Sequence, residues 1–147
     1  MQQLTFLTLL IISFFVSANL HAEQKIEDEH YVVHYSAINT TRLTPEVAKL
    51  SGITRSKNRA MLNIAVQKKK KDGSFIGVVA QLQGTVTNLI GQQRNLDFSL
   101  VTEGSAVYYL AEFFIDDGEK LYFKINAQPV PNYNGLTVSF NQTFYKD

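Results

Sequence analysis

Apolar side chains recur at every second position in stretch after stretch of this chain, and that rhythm decides which folds are open to it. A strand turns successive side chains to opposite faces, so a period of two marks a ribbon with one face against a core. In residues 121–127, LYFKINA, the face of Leu121, Phe123, Ile125 and Ala127 opposes Tyr122, Lys124 and Asn126. The same alternation runs through 30–38 (Tyr31, Val33, Tyr35, Ala37), 60–66 (Ala60, Leu62, Ile64, Val66) and 76–89 (Val78, Ala80, Leu82, Val86). It continues in 95–101 (Leu96, Phe98, Leu100) and 136–144 (Leu136, Val138, Phe140). Residues 106–115, AVYYLAEFFI, are apolar on both faces, with Tyr108, Leu110 and Phe114 opposite Tyr109, Ala111, Phe113 and Ile115. A strand of that kind is usually covered on both sides. It is therefore expected as a central strand whose second face is covered by the short helix or the N-terminal segment, or as one whose second face meets a partner or ligand.

The links between these runs carry turn chemistry. Asp72-Gly73, Asn88 to Gly91, Glu103-Gly104-Ser105, Asp117-Gly118 and Asn134-Gly135 all supply residues that tolerate the positive φ of tight hairpins. Two prolines in 129–135, PVPNYNG, remove ladder donors and mark a longer connection. One segment breaks the pattern. In 43–53, LTPEVAKLSGI, Thr44 is placed as an N-cap, Pro45 at the first helical position and Gly52 to close the helix. About seven to eight short strands with regular turn signals and one short helix near the N-terminus predict an all-β antiparallel sandwich, with a barrel as the alternative.

Before that domain lies LTFLTLLIISFFV, residues 4–16, thirteen residues without a charge. This matches the apolar region of a signal peptide and falls short of the roughly 20 residues that span a bilayer. Cleavage fits after Ala18 and better after Ala22, which predicts a signal peptide over 1–22, a single domain over 23–147 and no stable membrane span once it is removed. MQQ at the start has no Lys or Arg, so only the terminal amine supplies the usual positive charge. A chain of 147 residues is one domain's worth. It contains no cysteine, which excludes disulfides, thiolate metal sites and a cysteine nucleophile.

Catalytic signatures are absent. His30 and His34 share one strand face but stand about 13 Å apart, too far for both to reach one metal at roughly 2 Å. The acidic clusters at Glu27 to Glu29 and Asp116 to Glu119 lack the alternation of a calcium loop. The stretch EGSAV is not a nucleophile elbow, and no phosphate loop, dinucleotide fingerprint or zincin helix occurs. No cofactor, metal or nucleic-acid partner is expected.

Charge is the informative feature. Between Arg42 and Lys71 nine cations face one anion, Glu46, a balance of +8 against −7 for the rest of the chain. Such asymmetry is a partner signal. The candidate anion- or partner-binding residues are Arg55, Lys57, Asn58 and Arg59 before the second strand and Lys68, Lys69, Lys70 and Lys71 at its far end. Arginine forks suit phosphate or carboxylate, while the competing reading is a solvated connector. With the strand between them the two groups lie about 25 to 35 Å apart, two basic ends rather than one groove.

Several stretches carry a resemblance: HYSAINTT (34–41), LTPEVAKLSGITRSKNRAMLNIAV (43–66), GTVTNLIGQ (84–92) and AVYYLAEFFI (106–115), with RSKNRA (55–60) the most specific. The chain resembles a family of small exported gammaproteobacterial proteins known only as a domain of unknown function, DUF4426. The resemblance implies a signal-bearing, Ig-like β-sandwich of the bacterial envelope, located in the periplasm, and it brings no activity, cofactor or catalytic residue to transfer. The expectation is a non-catalytic module that binds an envelope protein or an anionic envelope component. The alternative is an envelope hydrolase or isomerase without a recognisable motif.

Overall fold

Alternating strands that each bury one face need a second layer to bury it against, and the chain supplies that layer itself. The structure, a computed structural model, describes residues 24–147, so the expected signal peptide over 1–22 lies outside the described residues. Ten strands form: β1 (Lys25–Glu27), β2 (Tyr31–Asn39), β3 (Arg59–Lys69), β4 (Phe75–Gly77), β5 (Gln81–Asn88), β6 (Gln93–Leu96), β7 (Ser99–Glu103), β8 (Ala106–Phe114), β9 (Glu119–Gln128) and β10 (Leu136–Phe144). One sheet has the order β1-β2-β3-β8-β7, with β4 also on β3, and the other the order β10-β9-β5-β6. All pairings are antiparallel. The expected all-β sandwich is the fold.

The extra strands have a physical cause. Residues 76–89, expected as one strand, break at 78–80: β4 pairs with β3 in the first sheet, and β5 pairs with β9 in the second. The expected strand over 95–101 breaks likewise, β6 joining β5 and β7 joining β8. Both sheets turn an apolar face to the same core, so a chain that switches sheets keeps its alternation and hides the switch from a periodicity reading. Leu100, read as a core residue, stays 50% exposed on the edge strand β7.

A similar correction applies to Asp116 to Glu119. The turn joins β8 of one sheet to β9 of the other, so it arches over the core instead of closing a ladder. Tyr109, Ala111 and Phe113 thereby face Leu121, Phe123 and Ile125 within one buried cluster, with the Phe113 and Phe123 rings edge-on at 5.2 Å. On the opposite face of β8, Leu110 is buried and Phe114 is exposed.

Helix α1 (Pro45–Leu50) forms where the capping pattern places it: Thr44 Oγ1 accepts a hydrogen bond from the Val47 N–H at 3.3 Å. A 3-10 turn (Thr40–Arg42) leads into it from β2.

At the far end of the sandwich, Asp28 ties the β1–β2 turn to the link before β10. Its carboxylate accepts from the His30 and Tyr31 N–H groups at 2.7 and 2.8 Å and from the Tyr133 hydroxyl. Partial burial works against the charge, but these three donors outweigh it and hold the Asp28 pKa below the ordinary value. The same bond pushes the Tyr133 hydroxyl up to about 12. A carboxyl depressed in the folded state contributes stability that is complete above its unfolded pKa and is lost as pH falls through the folded one. The stability difference between wild type and Asp28→Asn is therefore expected to be largest near neutrality and to shrink as pH drops below about 4. Urea unfolding from pH 6 to pH 2 measures this. A difference that stays constant across that range excludes the ionised latch.

Candidate functional site

Strand β3 sets the geometry of the basic segment, because it lies between the two groups of cations. Arg55, Lys57 and Asn58 precede it, Arg59 opens it, Lys68 and Lys69 close it, and Lys70 and Lys71 lead into the next turn. Ten residue steps of strand span about 33 Å. The charge therefore occupies two ends of the sandwich.

The lysine end is partly neutralised. Lys69 Nζ lies 2.9 Å from Glu27 Oε2 and donates to the Asp28 carbonyl at 2.8 Å. That contact, with Lys25 nearby, holds the Glu27 carboxyl below its usual pKa. Lys68, Lys70 and Lys71 are exposed. The turn beneath them is tight, with the Ser74 N–H and hydroxyl both on Asp72 Oδ1 at 2.9 and 2.6 Å. This fixes the backbone and leaves long lysine stems in water.

The Arg55 end is built on a buried threonine. Thr40 is fully buried, and its hydroxyl accepts from the Ser56 N–H at 2.9 Å and faces the Ser56 and Arg59 carbonyls at 3.1 and 3.2 Å. The 3-10 turn is thereby tied to the connector over 56–59. Arg55 Nη2 donates to the Thr41 carbonyl at 3.1 Å, which pins an exposed guanidinium across the same junction. Arg42, Lys49 and Lys57 are exposed as well.

Of the remaining two candidates, Arg59 is half-buried on the outer face of the sheet and Asn58 is exposed. Arg59 lies 3.5 Å from Glu112 Oε1, and its guanidinium sits 4.7 Å over the Phe114 ring. Glu112 Oε1 also accepts from the Thr54 N–H at 2.9 Å. Asn58 works through its backbone, its carbonyl accepting from Ile115 N–H at 2.9 Å and its N–H donating to Ser56 Oγ at 3.3 Å. Both therefore hold the connector to β8 and to the arch after it.

A residue that the sequence reading did not single out completes this end. The Asp147 carboxylate accepts from the Thr41 hydroxyl and from Asn39 Nδ2, the latter at 3.2 Å. Asn39 Nδ2 also donates to the Tyr145 carbonyl at 2.7 Å. Those two side chains first, and the charges of Arg42 and Lys57 beyond them, hold Asp147 below the usual carboxylate range. Asn39, Arg42, Tyr145 and Asp147 line one part of a groove of about 890 Å³ that extends to Ser36, Asn63, Gln67 and Tyr108.

Catalysis by a general acid asks for a carboxyl held protonated near neutrality. The displaced carboxyls Glu27, Asp28, Asp72 and Asp147 all move the other way. Among the described residues no group of three or more His, Asp or Glu side chains is gathered as a metal ion would require. His34 Nε2 lies 3.0 Å from Gln67 Oε1.

A family model described as "Domain of unknown function (DUF4426)" matches residues 25–147. A crystal structure of a DUF4426 family protein, PA0388 from Pseudomonas aeruginosa PAO1, is similar at a TM-score of 0.72 and 32% identity, covering 87% of this chain and 98% of that one. FetP of uropathogenic Escherichia coli strain F11, recombinantly expressed in the periplasm of E. coli BL21(DE3), is similar in fold at a TM-score of 0.57 and 10% identity, over 84% of this chain and 94% of that one. A copper-bound FetP variant gives a TM-score of 0.56 at 11% identity, over 85% and 91%. No curated protein matches the chain.

Proposed function

The chain belongs to the DUF4426 family, and from that premise we propose that it is a periplasmic, non-catalytic binding module that meets an anionic envelope component through its Arg55 end. Export is supported by the uncharged run at 4–16 followed by Ala18 and Ala22. FetP, which shares the fold, was recombinantly expressed in the periplasm of E. coli BL21(DE3). No helix among the described residues is long and apolar enough to cross a membrane.

One observation carries the choice of surface. The Arg55 guanidinium is pinned to Thr41 beside exposed Arg42 and Lys57, on a junction fastened by buried Thr40. A cation held in place gives up less side-chain freedom on binding than a free one. Lys68, Lys70 and Lys71 carry equal charge on free stems, and their attraction is screened within about 8 Å at physiological salt. Two triple variants with the same change in charge separate these roles. Replacing Arg42, Arg55 and Lys57 with Gln is expected to weaken binding to phosphatidylglycerol vesicles by about a hundredfold at physiological salt, given roughly 1 kcal/mol for each of the three surface cations. Replacing Lys68, Lys70 and Lys71 with Gln is expected to act mainly at low salt. Equal losses in vesicle sedimentation at both salt levels reduce the asymmetry to net charge and overturn the assignment.

A further inference from the structure

We infer that Asn39, Thr41, Arg42 and Lys57 form a carboxylate-binding cradle for an acidic peptide segment of a partner, occupied in the free protein by the chain's own Asp147. The inference rests on the reading above that the Arg55 end is the binding end, and it names the ligand class. Three observations carry it. First, the contact is specific in its donors. A hydroxyl and an amide N–H grip the carboxylate, and the cations Arg42 and Lys57 act on it from further off. Such a set suits a carboxylate, with few lone pairs to satisfy, better than a phosphate, whose three oxygens call for more direct donors.

Second, the grip already reads a peptide. The Asn39 amide serves the Tyr145 carbonyl and the Asp147 carboxylate together, a main-chain acceptor and an acid two residues further on. The segment 145–147 is thus a working template for its competitor. Third, the cradle opens onto the groove that leads to Ser36, Asn63, Gln67 and Gln142. Amides and hydroxyls of this kind pair with the N–H and C=O groups of an extended backbone.

The occupant is exchangeable. Asp147 is exposed, and the segment is otherwise held by Lys146, whose N–H donates to Asp117 Oδ1 at 2.9 Å and whose Nζ lies 3.5 Å from Asp116. A tethered competitor acts at an effective concentration on the order of millimolar. It lowers the apparent affinity for an outside ligand in proportion to the fraction of time it fills the site.

Fluorescence anisotropy with labelled hexaglutamate on the full chain tests this. Asp147→Ala is expected to tighten binding about tenfold, the gain when a site filled about nine-tenths of the time is freed. In that background Thr41→Val, which removes the hydroxyl and leaves the charge untouched, is expected to abolish the gain. Gln at Lys68, Lys70 and Lys71 is expected to leave the gain in place. Asp147→Asn serves as the second variant should the alanine lower the melting temperature, and it is expected to gain in the same direction. Unchanged or weaker binding in both Asp147 variants, or a gain that survives Thr41→Val, overturns the cradle. An equal gain for inositol hexaphosphate overturns the carboxylate class. The vesicle experiment stands apart: loss of vesicle binding with Arg42, Arg55 and Lys57, alongside no gain at Asp147, removes the cradle and leaves the surface assignment intact.

Discussion

Phe123→Ala is expected to lower the free energy of unfolding by about 3 to 5 kcal/mol, while Lys124→Ala beside it changes stability by less than about 0.5 kcal/mol. Phe123 is 2% exposed on the inner face of β9, stacked on Phe140 at 4.6 Å and edge-on to Phe113 at 5.2 Å. Its aromatic contacts, Phe144 included, come from both sheets, so truncation opens a cavity in the joint between the layers, where neither sheet can collapse alone. Lys124 points to solvent from the same strand. Urea unfolding followed by circular dichroism compares the two. Effects of equal size mean that the strand is out by one residue, because a one-residue slip exchanges the faces.

Gly135→Ala is expected to cost about 2 to 5 kcal/mol, against about 1 kcal/mol for Gly73→Ala. Both glycines have positive φ, +76° and +84°, so both substitutions carry the strain of a left-handed backbone. Only Gly135 is also enclosed. A Cβ there would lie 2.9 Å from the Ala127 carbonyl oxygen and 3.1 Å from the Asn126 amide, whereas at Gly73 nothing lies within 4 Å. Part of that crowding is backbone on β9, which pairs with β10 from Leu136 onward, so relief requires the ladder itself to shift. Thermal and urea unfolding of the two variants should separate clearly. Similar losses mean that the link into β10 yields at little cost.

The candidate site was legible in kind and not in partnership. The charge asymmetry between Arg42 and Lys71, and its division by a strand into two ends, follow from composition and strand rise alone. That Arg59 turns to Glu112 and Phe114, while Arg55 stays on the surface, depends on the pairing of β3 with β8. Both arginines look alike in the sequence. Asp147 stands 106 residues from Thr41, and no local pattern links the two.

What the sequence determined by itself is what neighbouring residues impose on one another. The period-two alternation set which side chains of β2, β3, β8, β9 and β10 face the core, since side-chain direction is a property of the strand, while Val32, Met61 and Leu110 are buried on the opposite face. The capping pattern around Thr44 and Pro45 set the helix, because its donors and acceptors lie within one turn. The tertiary structure alone decided which sheet each strand joined. Residues 75–88 and 93–103 cross from one layer to the other while keeping their alternation, and the arch after β8 replaces a hairpin that the turn residues would equally have allowed. A turn dictates φ over a few residues, whereas the choice of pairing partner depends on which edge lies nearest once the apolar faces have closed on each other. The fate of the cations follows from that choice. Coulomb and hydrogen-bond contacts act over a few ångströms, so only the packed molecule determines that Lys69 meets Glu27, that Arg59 meets Glu112, and that Asp147 returns to Thr41.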